Sequence, residues 1–144
     1  MKDRIFIIDG SSYLYRAYHA MPPSSTSSGQ PTGAVKGVTN MLMNLKKDSE
    51  GSSIIVVFDA KGKTFRSDIY SEYKANRPPM PDELRDQLVP VKSICRAIGF
   101  PLIEIEGVEA DDVIATIANM AKKEDYKCVI SSLDKDLMQL VEDQ

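Results

Sequence analysis

The sequence contains few of the residues that build zinc sites, disulfide frameworks or membrane spans. Its 144 residues include two cysteines and one histidine, which make neither a zinc-binding spacing nor a disulfide framework. No apolar run approaches the length of a membrane span, and the N-terminus enters a strand pattern without a signal peptide. We therefore expect Cys95 and Cys128 to be buried, reduced thiols of a cytoplasmic protein, and His19 to be structural or to lie on the surface.

Nucleotide-binding motifs are missing as well. There is no GxGxxG pattern, no P-loop and no DxD at the first strand, which argues against a nucleotide-binding α/β domain or a phosphatase. The remaining composition is ordinary for a soluble globular domain, with 42% hydrophobic and 27% charged residues. A chain of this length corresponds to one domain, which can bury roughly 70% of its unfolded surface.

The net charge of −3 is unevenly distributed along the chain. Between residues 61 and 77 five cations accompany two acids, a net +3, so the rest of the chain carries −6. A basic strip beside an acidic region suits an enzyme that acts on phosphodiesters. Composition alone favours the simpler interpretation, a charge-rich segment that is solvated.

Four apolar segments predict the strands of a parallel sheet: RIFIIDG, SIIVVFDA, PLIEIEGVEADD and CVISSLDKD. We place strands at residues 4–8, 53–58, 101–105 and 127–131, and helices at 13–20, 34–47, 82–99, 110–123 and from 134 onward. Residues 21–33 are predicted to be a mobile loop and 59–81 an irregular segment. The alternation of strands and helices predicts a three-layer α/β/α fold with a mainly parallel central sheet.

Each of these segments ends in a carboxylate or is soon followed by one. Because the carboxyl ends of parallel strands meet at one edge of a sheet, the acids are expected to converge there. Two carboxylates about 5 Å apart repel by roughly 3 kcal/mol at an effective dielectric of about 20, so such a cluster takes up protons or cations. Mg²⁺ or Mn²⁺ suits these oxygen ligands, and metal-assisted phosphodiester hydrolysis is the first hypothesis. The candidate ligands are Asp9, Asp59, Glu109, Asp111, Asp112, Asp134 and Asp136.

Helix capping is the alternative role for each of these acids. Asp9 and Asp59 follow strands, the acids from Glu109 to Asp112 open a helix, and the Asp134–Asp136 pair opens another, and an acid at a helix start is stabilised by the helix dipole. Each pair alone is more often a cap than a ligand. All four sites together are hard to explain as caps, which favours a metal site.

The segment YKANRPP contains Tyr73, Lys74 and Arg77. An aromatic ring beside two cations is a platform on which single-stranded nucleic acid can stack and be neutralised. A surface loop with incidental charges explains the same spacing equally well, so both interpretations stay open here.

Six blocks carry a resemblance to a known family: IIDGSSYLYRAYHA, SSGQPTGAVKGVTNML, VVFDAKGKTFR, YKANRPPMPDEL, GVEADDVIATIA and DKDLMQLV. In these blocks the chain resembles the 5′ nuclease domains of bacterial DNA polymerases I, which belong to the flap-endonuclease family and have a PIN-like core. The resemblance runs through essentially all 144 residues. It implies a 5′–3′ exonuclease and structure-specific 5′-flap endonuclease of DNA replication and repair.

The resemblance also implies a role for each candidate residue. It implies two divalent ions, the first held by Asp9, Asp59, Glu109 and Asp111. Asp111 would also face the second ion, which Asp134 and Asp136 help to hold, while Asp112 resembles an acid of the outer shell. A metal-activated hydroxide would attack the phosphodiester in line and leave a 5′-phosphate.

The nucleic-acid contacts follow from the same resemblance. Lys74 resembles the lysine that supports charge on the phosphate in the transition state, and Tyr73 resembles the ring that stacks near the scissile nucleotide. Arg16 and Arg77 resemble arginines that contact phosphates. Residues from about 60 to 81 resemble the helical arch through which a 5′ single strand passes, and we expect weak order there. The implied partner is DNA with a 5′ single-stranded flap or end, in the bacterial cytoplasm at the nucleoid, with no membrane.

Two departures from the family pattern carry their own expectations. Leu133 stands where the family has a glycine before the DKD motif, and its bulk is expected to displace Asp134 and weaken the second-ion site. The family also continues into a helix–two-turn–helix element that these residues lack. The chain is therefore predicted to be the N-terminal portion of a single 5′ nuclease domain, with reduced or absent activity. A PIN-type endoribonuclease and a non-catalytic DNA-binding fragment are the alternatives.

Overall fold

The computed structural model of the chain describes residues 3–60, 62, 65, 69–70 and 79–141. The strands are β1 (Arg4–Asp9), β2 (Ser53–Val57), β3 (Leu102–Ile103) and β4 (Lys127–Ser131). The α-helices are α1 (Gly10–Ala20), α2 (Gly33–Asp48), α3 (Asp82–Arg85), α4 (Leu88–Ile98) and α5 (Ala110–Lys123), and a 3₁₀ helix follows at Lys135–Leu140. This alternation confirms the predicted α/β class.

All strand pairs in the described sheet are parallel, in the order β3-β2-β1-β4. Asp9 is in register with Val57 of β2, and Ile8 is in register with Ser131 of β4. The carboxyl ends of these three strands therefore lie level at one edge of the sheet. The residues that follow each strand in the sequence begin close to one another at this edge.

Consecutive residues of β1 face opposite layers of the molecule, as a strand with a period of two requires. Ile8 packs into a core formed with α1, α2 and α4, whose members include Leu14, Val38 and Val91. Ile7 packs into a second core against α5, around Ile114. Both isoleucines are fully buried, so the sheet is covered on both faces and the three-layer prediction is confirmed.

The structure corrects several predicted boundaries. The first helix begins at Gly10 rather than 13, because Asp9 caps it directly. The helix predicted for 82–99 is two helices, since Pro90 has no N–H for the carbonyl four residues earlier and its ring would clash with that carbonyl. The strand predicted for 101–105 pairs only at Leu102–Ile103, and the last helix is of the 3₁₀ type. The predicted loop at 21–33 holds a single antiparallel bridge, between Ser25 and Pro31.

Gln87 is a buried polar residue at the junction of α3 and α4, with 2% of its surface exposed. Its Oε1 accepts a hydrogen bond from the Val35 backbone N–H (3.0 Å) near the start of α2, where helix amides have no partner within the helix. Its Nε2 donates to the Glu83 carbonyl (3.0 Å). One side chain thus joins two helices that are far apart in the sequence.

Replacing Gln87 with leucine should lower the free energy of unfolding by about 1–3 kcal/mol, because the Val35 amide and the Glu83 carbonyl lose buried partners. Urea unfolding followed by circular dichroism measures this loss. Gln139→Leu is the matched control, since Gln139 is exposed. An equal effect of the two substitutions would mean that the buried amide contributes nothing specific.

Cys95 and His19 lie as expected, whereas Cys128 is only half-buried. Cys95 is fully buried, burial raises the pKa of its thiol to about 11, and burial also raises the pKa of the half-buried Cys128 thiol. Both are free thiols. His19 is exposed and contacts two tyrosine rings, Tyr15 at 6.4 Å and Tyr18 at 5.2 Å between ring centroids. Among the described residues, no helix combines the length and the apolar character that crossing a membrane requires.

Candidate active site

Asp9 ends β1 with a carboxylate that is 4% exposed and closely held. Its Oδ1 accepts the Ser12 backbone N–H (3.3 Å), which makes it the N-cap of α1. Its Oδ2 accepts two hydroxyl protons, from Ser12 Oγ and from Ser132 Oγ, both at 2.7 Å. The chain brings these donors from α1 and from the turn after β4, so Asp9 is fixed by one residue close to it in the sequence and by one far from it.

Asp59 follows the end of β2 and joins it to α5. Its Oδ1 accepts the backbone N–H of Ala110 (2.7 Å), the first residue of α5, and its Oδ2 accepts Ser11 Oγ (3.2 Å). A carboxylate at a helix N-terminus is favoured by the helix dipole. Asp59 therefore caps a helix that begins 51 residues later in the chain.

The segment from Glu109 to Asp112 opens α5. Glu109 is the N-cap residue, in extended conformation and 7% exposed, and Asp111 and Asp112 lie half-buried in the first turn. The buried side chains of Ala110 and Val113 anchor this turn in the core, so the acids of the turn are set on a rigid element.

Asp111 is the point at which the carboxylates of the site meet. Its pKa is raised to about 7, first by burial, then by a hydrogen bond to Asp134, and further by the negative charges of Asp134, Asp9 and Asp59. A hydrogen bond between two carboxyl groups requires a proton on one of them. The structure therefore brings together acids from four separate segments, as their positions after parallel strands predicted.

Asp134 and Asp136 follow β4 in the turn that starts the 3₁₀ helix. Asp134 Oδ1 accepts the Asp136 backbone N–H (2.9 Å) and so caps this helix. A cleft of about 510 Å³ opens between the start of α5 and the 3₁₀ helix. Its charged lining residues are Glu109, Asp111, Asp112, Lys135 and Asp136. Asp111 thus belongs both to this cleft and to the cluster around Asp9.

The capping interpretation is correct for three of these acids, because Asp9, Asp59 and Asp134 each accept an amide at a helix start. Capping does not account for the convergence of the carboxylates. Their all-oxygen chemistry fits a hard divalent cation. Within the described ranges, however, no three His, Cys, Asp or Glu side chains form a ready-made cage for a metal ion. A proton on Asp111 relieves the repulsion between these carboxylates, and the role of these acids as metal ligands stays a prediction.

Of the predicted nucleic-acid contacts, only Arg16 lies within the described residues. Tyr73, Lys74 and Arg77, with most of the arch-like segment, lie outside the described residues. Phe65 is described, and its backbone N–H donates to the Gly107 carbonyl (2.7 Å), just before α5. Arg16 is exposed and lines a separate groove of about 480 Å³ between α1 and α2, together with Asn40 and Asn44.

Leu133 does not disturb the turn in the way its bulk suggested. Among the non-glycine residues that the structure describes, only Glu50 and Asp125 have positive φ, so Leu133 needs no conformation reserved for glycine. Its side chain is 57% exposed, and the following Asp134 N–H still reaches Ser132 Oγ (3.0 Å). The expected displacement of Asp134 therefore has no steric cause in this structure.

The serines beside the acids were missed at the sequence level. Ser11 donates to Asp59, Ser12 donates to Asp9, and Ser132 donates to the same oxygen of Asp9 as Ser12. The available signal was a pair of serines at two of the strand ends, in DGSS and in ISSLD. Such a pair indicates a hydroxyl donor for a carboxylate only when the two strands are known to be neighbours.

The fold and the cluster together define a class, an α/β/α domain of PIN-like architecture with an acidic edge. The chain belongs to the 5′–3′ exonuclease family, because the family model for the N-terminal resolvase-like domain matches residues 4–144.

Curated relatives agree with this membership. The chain is 58% identical over 138 residues to DNA polymerase I of Pseudomonas aeruginosa, covering 96% of this chain and 15% of that protein. It is 47% identical over 137 residues to the 5′–3′ exonuclease of Aquifex aeolicus, covering 95% of this chain and 47% of that protein. The chain thus spans less than half the length of either relative.

Solved structures share the fold. The T5 D15 protein, co-crystallised with metal ions, is 26% identical with a TM-score of 0.71, covering 97% of this chain and 52% of that one. The bacteriophage T5 D15 flap endonuclease in complex with DNA and metal ions has a TM-score of 0.75 over the same shares of the two chains, and at 24% identity it shows the fold alone.

Proposed function

We propose that this chain supplies the N-terminal catalytic part of a 5′–3′ exonuclease and 5′-flap endonuclease that hydrolyses DNA in replication and repair. The observation that carries the proposal is the convergence of acids from four segments on Asp111, in a member of the 5′–3′ exonuclease family. The relatives named DNA polymerase I and 5′–3′ exonuclease support the reaction class, and a bacterial cytoplasmic site at the nucleoid is part of the proposal.

Two Mg²⁺ or Mn²⁺ ions are proposed as the cofactor, and the metal ions in the T5 D15 structure support the use of a metal cofactor. The first would be held by Asp9, Asp59, Glu109 and Asp111, and the second by Asp111, Asp134 and Asp136, with Asp112 outside them. When bound, such ions supply an activated water and neutralise charge on the phosphate. The donor set fits because it is made of carboxylates whose mutual repulsion a cation relieves.

The residues of the chain itself perform the remaining steps. Ser11, Ser12, Ser132 and the Ala110 N–H hold the Asp9 and Asp59 carboxylates in place before any ligand arrives. Asp111 carries a proton near neutral pH and releases it when a cation replaces that proton, so ion uptake should be weaker below about pH 7. Tyr73, Lys74, Arg77 and Arg16 stay the proposed contacts for DNA, with Lys74 supporting charge on the scissile phosphate.

A cleavage assay with Mn²⁺ tests the proposal. We expect a labelled 5′-flap DNA to lose its single-stranded 5′ end slowly, as the reduced activity predicted for this chain implies, and a blunt duplex of the same sequence to lose its 5′ end more slowly still. Chelation with EDTA should lower the cleavage rate by at least about a hundredfold, since the metal supplies both charge stabilisation and the nucleophile.

Two other results would contradict the proposal and support one of the alternatives. Cleavage of single-stranded RNA without cleavage of the flap DNA would identify a PIN-type endoribonuclease. Binding of flap DNA with no cleavage, together with no heat of Mn²⁺ binding in calorimetry near neutral pH, would identify a non-catalytic DNA-binding fragment.

A further inference from the structure

Two serine hydroxyls meet on one oxygen of Asp9. Ser12 Oγ and Ser132 Oγ each donate to Asp9 Oδ2 at 2.7 Å, although 120 residues separate the two serines. The hydroxyl oxygens also lie 3.2 Å from each other. A hydroxyl has one proton, and both protons are directed to Asp9, so this short contact joins two acceptor oxygens and not a donor and an acceptor. The charged carboxylate is what holds them together.

The same two hydroxyls accept backbone amides from the turn after β4. The Leu133 N–H donates to Ser12 Oγ (3.2 Å), and the Asp134 N–H donates to Ser132 Oγ (3.0 Å). Each hydroxyl therefore accepts a hydrogen bond from an amide of the turn and donates one to the Asp9 carboxylate. The position of Asp134 is linked to Asp9 through two parallel bridges of this kind.

The bridges also determine which atom of Asp9 is left for a ligand. A carboxylate offers about four lone-pair directions, two on each oxygen. The two serine hydroxyls occupy both directions on Oδ2, and the Ser12 N–H occupies one on Oδ1. Among the contacts of the described residues, one direction on Oδ1 therefore remains, so the bridges orient Asp9 for a single contact.

We propose that Ser132, together with Ser12, is a positioning residue that orients Asp9 and holds the turn carrying Asp134 toward the same ion-binding edge. This inference rests on the proposed function, because it assigns a purpose to the two acids as ligands. It goes further, because it names two hydroxyls that connect Asp9, a proposed ligand of the first ion, to Asp134, a proposed ligand of the second.

Ser132→Thr and Ser132→Val form the central test, because the two side chains have the same shape and differ in the hydroxyl. Mn²⁺ binding to the chain is measured by calorimetry, and exchange of the Asp134 amide is measured by NMR without metal. We expect Ser132→Val to weaken Mn²⁺ binding by about 10-fold or more relative to Ser132→Thr, the usual effect of losing a partner of a ligand. Exchange of the Asp134 amide should accelerate by about tenfold in Ser132→Val, as loss of a typical hydrogen bond predicts.

Ser131→Val is the matched control, since the neighbouring Ser131 hydroxyl bonds the Tyr13 hydroxyl (2.7 Å) and no carboxylate. It should leave Mn²⁺ affinity unchanged. Equal Mn²⁺ affinity for Ser132→Val and Ser132→Thr would overturn this inference and leave the proposed function standing. A loss of Mn²⁺ affinity in Ser131→Val as large as that in Ser132→Val would do the same. A wild-type chain that takes up no Mn²⁺ would overturn the proposed function as well. If Ser132→Val does not fold, Ser12→Ala replaces it, because it removes the other hydroxyl from the same Asp9 oxygen.

Discussion

Replacing Asp111 with asparagine is expected to abolish metal-dependent cleavage and, at the same time, to make the metal-free chain more stable at pH 8. These opposite effects share one cause. Asp111 is placed among Asp134, Asp9 and Asp59, where a negative charge is unfavourable until a cation is present. The loss of cleavage should be at least about a hundredfold, since the substitution removes a carboxylate proposed to face both ions.

The pH dependence follows from the direction of the pKa shift. The pKa of Asp111 is about 7 in the folded chain, against an ordinary value of 3.8. Between these values the folded chain retains a proton that the unfolded chain has lost, so the stability of the wild type falls as the pH rises from about 4 to 7. The full shift corresponds to about 4 kcal/mol. Asp111 is partly exposed, and after reduction for solvent screening we expect a gain of about 1–2 kcal/mol for Asp111→Asn at pH 8.

Urea unfolding at pH 4 and pH 8, without metal, measures this difference. Asp111→Asn should gain stability over the wild type at pH 8 and lose that advantage at pH 4. Asp3→Asn is the control, because Asp3 is an exposed acid just before the opposite end of β1. Mn²⁺ at about 100 times its Kd should then stabilise the wild type by about 2.7 kcal/mol and leave the variant unchanged. A variant that is less stable than the wild type at pH 8 without metal would show that the cluster is not repulsive.

Local sequence patterns predicted the correct bounds for elements whose ends are determined by residues close to those ends. Helix α5 and strand β4 have the bounds that were predicted, 110–123 and 127–131. In α5 the acids at the start, the apolar face of Val113 and Ile114, and the lysines of the last turn all act within a few residues of each other. The convergence of the acids was predictable too, because it follows from the parallel order of the strands.

Contacts between residues that are far apart in the sequence could not be predicted from the sequence. The hydrogen bond from the Ala110 amide to Asp59 and the bond from the Val35 amide to Gln87 span about 50 residues each. The Ser132–Asp9 bond spans 123 residues. No periodicity or capping pattern encodes such a partner, since it depends on the three-dimensional order of the strands. For the same reason the sequence identified the carboxylates of the site but not the hydroxyls that hold them.

Gly10 is restricted by the packing around it and not by its backbone conformation. A glycine directly after a strand often serves a close turn that needs positive φ. In the structure Gly10 is the first residue of α1 and is not among the glycines of positive φ. Its restriction is steric, because a Cβ at this position would lie 2.6 Å from two atoms of the Phe58 ring. Phe58 is 1% exposed, and the amino group of Lys92 lies 5.5 Å from its ring centroid.

Gly10→Ala should therefore destabilise the chain by about 2–3 kcal/mol, because the buried ring of Phe58 would have to shift within the core. The better helix propensity of alanine, worth up to about 1 kcal/mol, offsets part of the clash and is included in this figure. Urea unfolding of the wild type, Gly10→Ala, Phe58→Leu and the double variant forms a double-mutant cycle. The smaller leucine should accommodate the added methyl group, so the double variant should be more stable than the sum of the single effects by at least about 1 kcal/mol. Strict additivity would mean that Gly10 is required for its backbone and not for the space it leaves to Phe58. The strand end at Asp9 would then owe its geometry to the backbone of the residue that follows it and not to the packing beneath it.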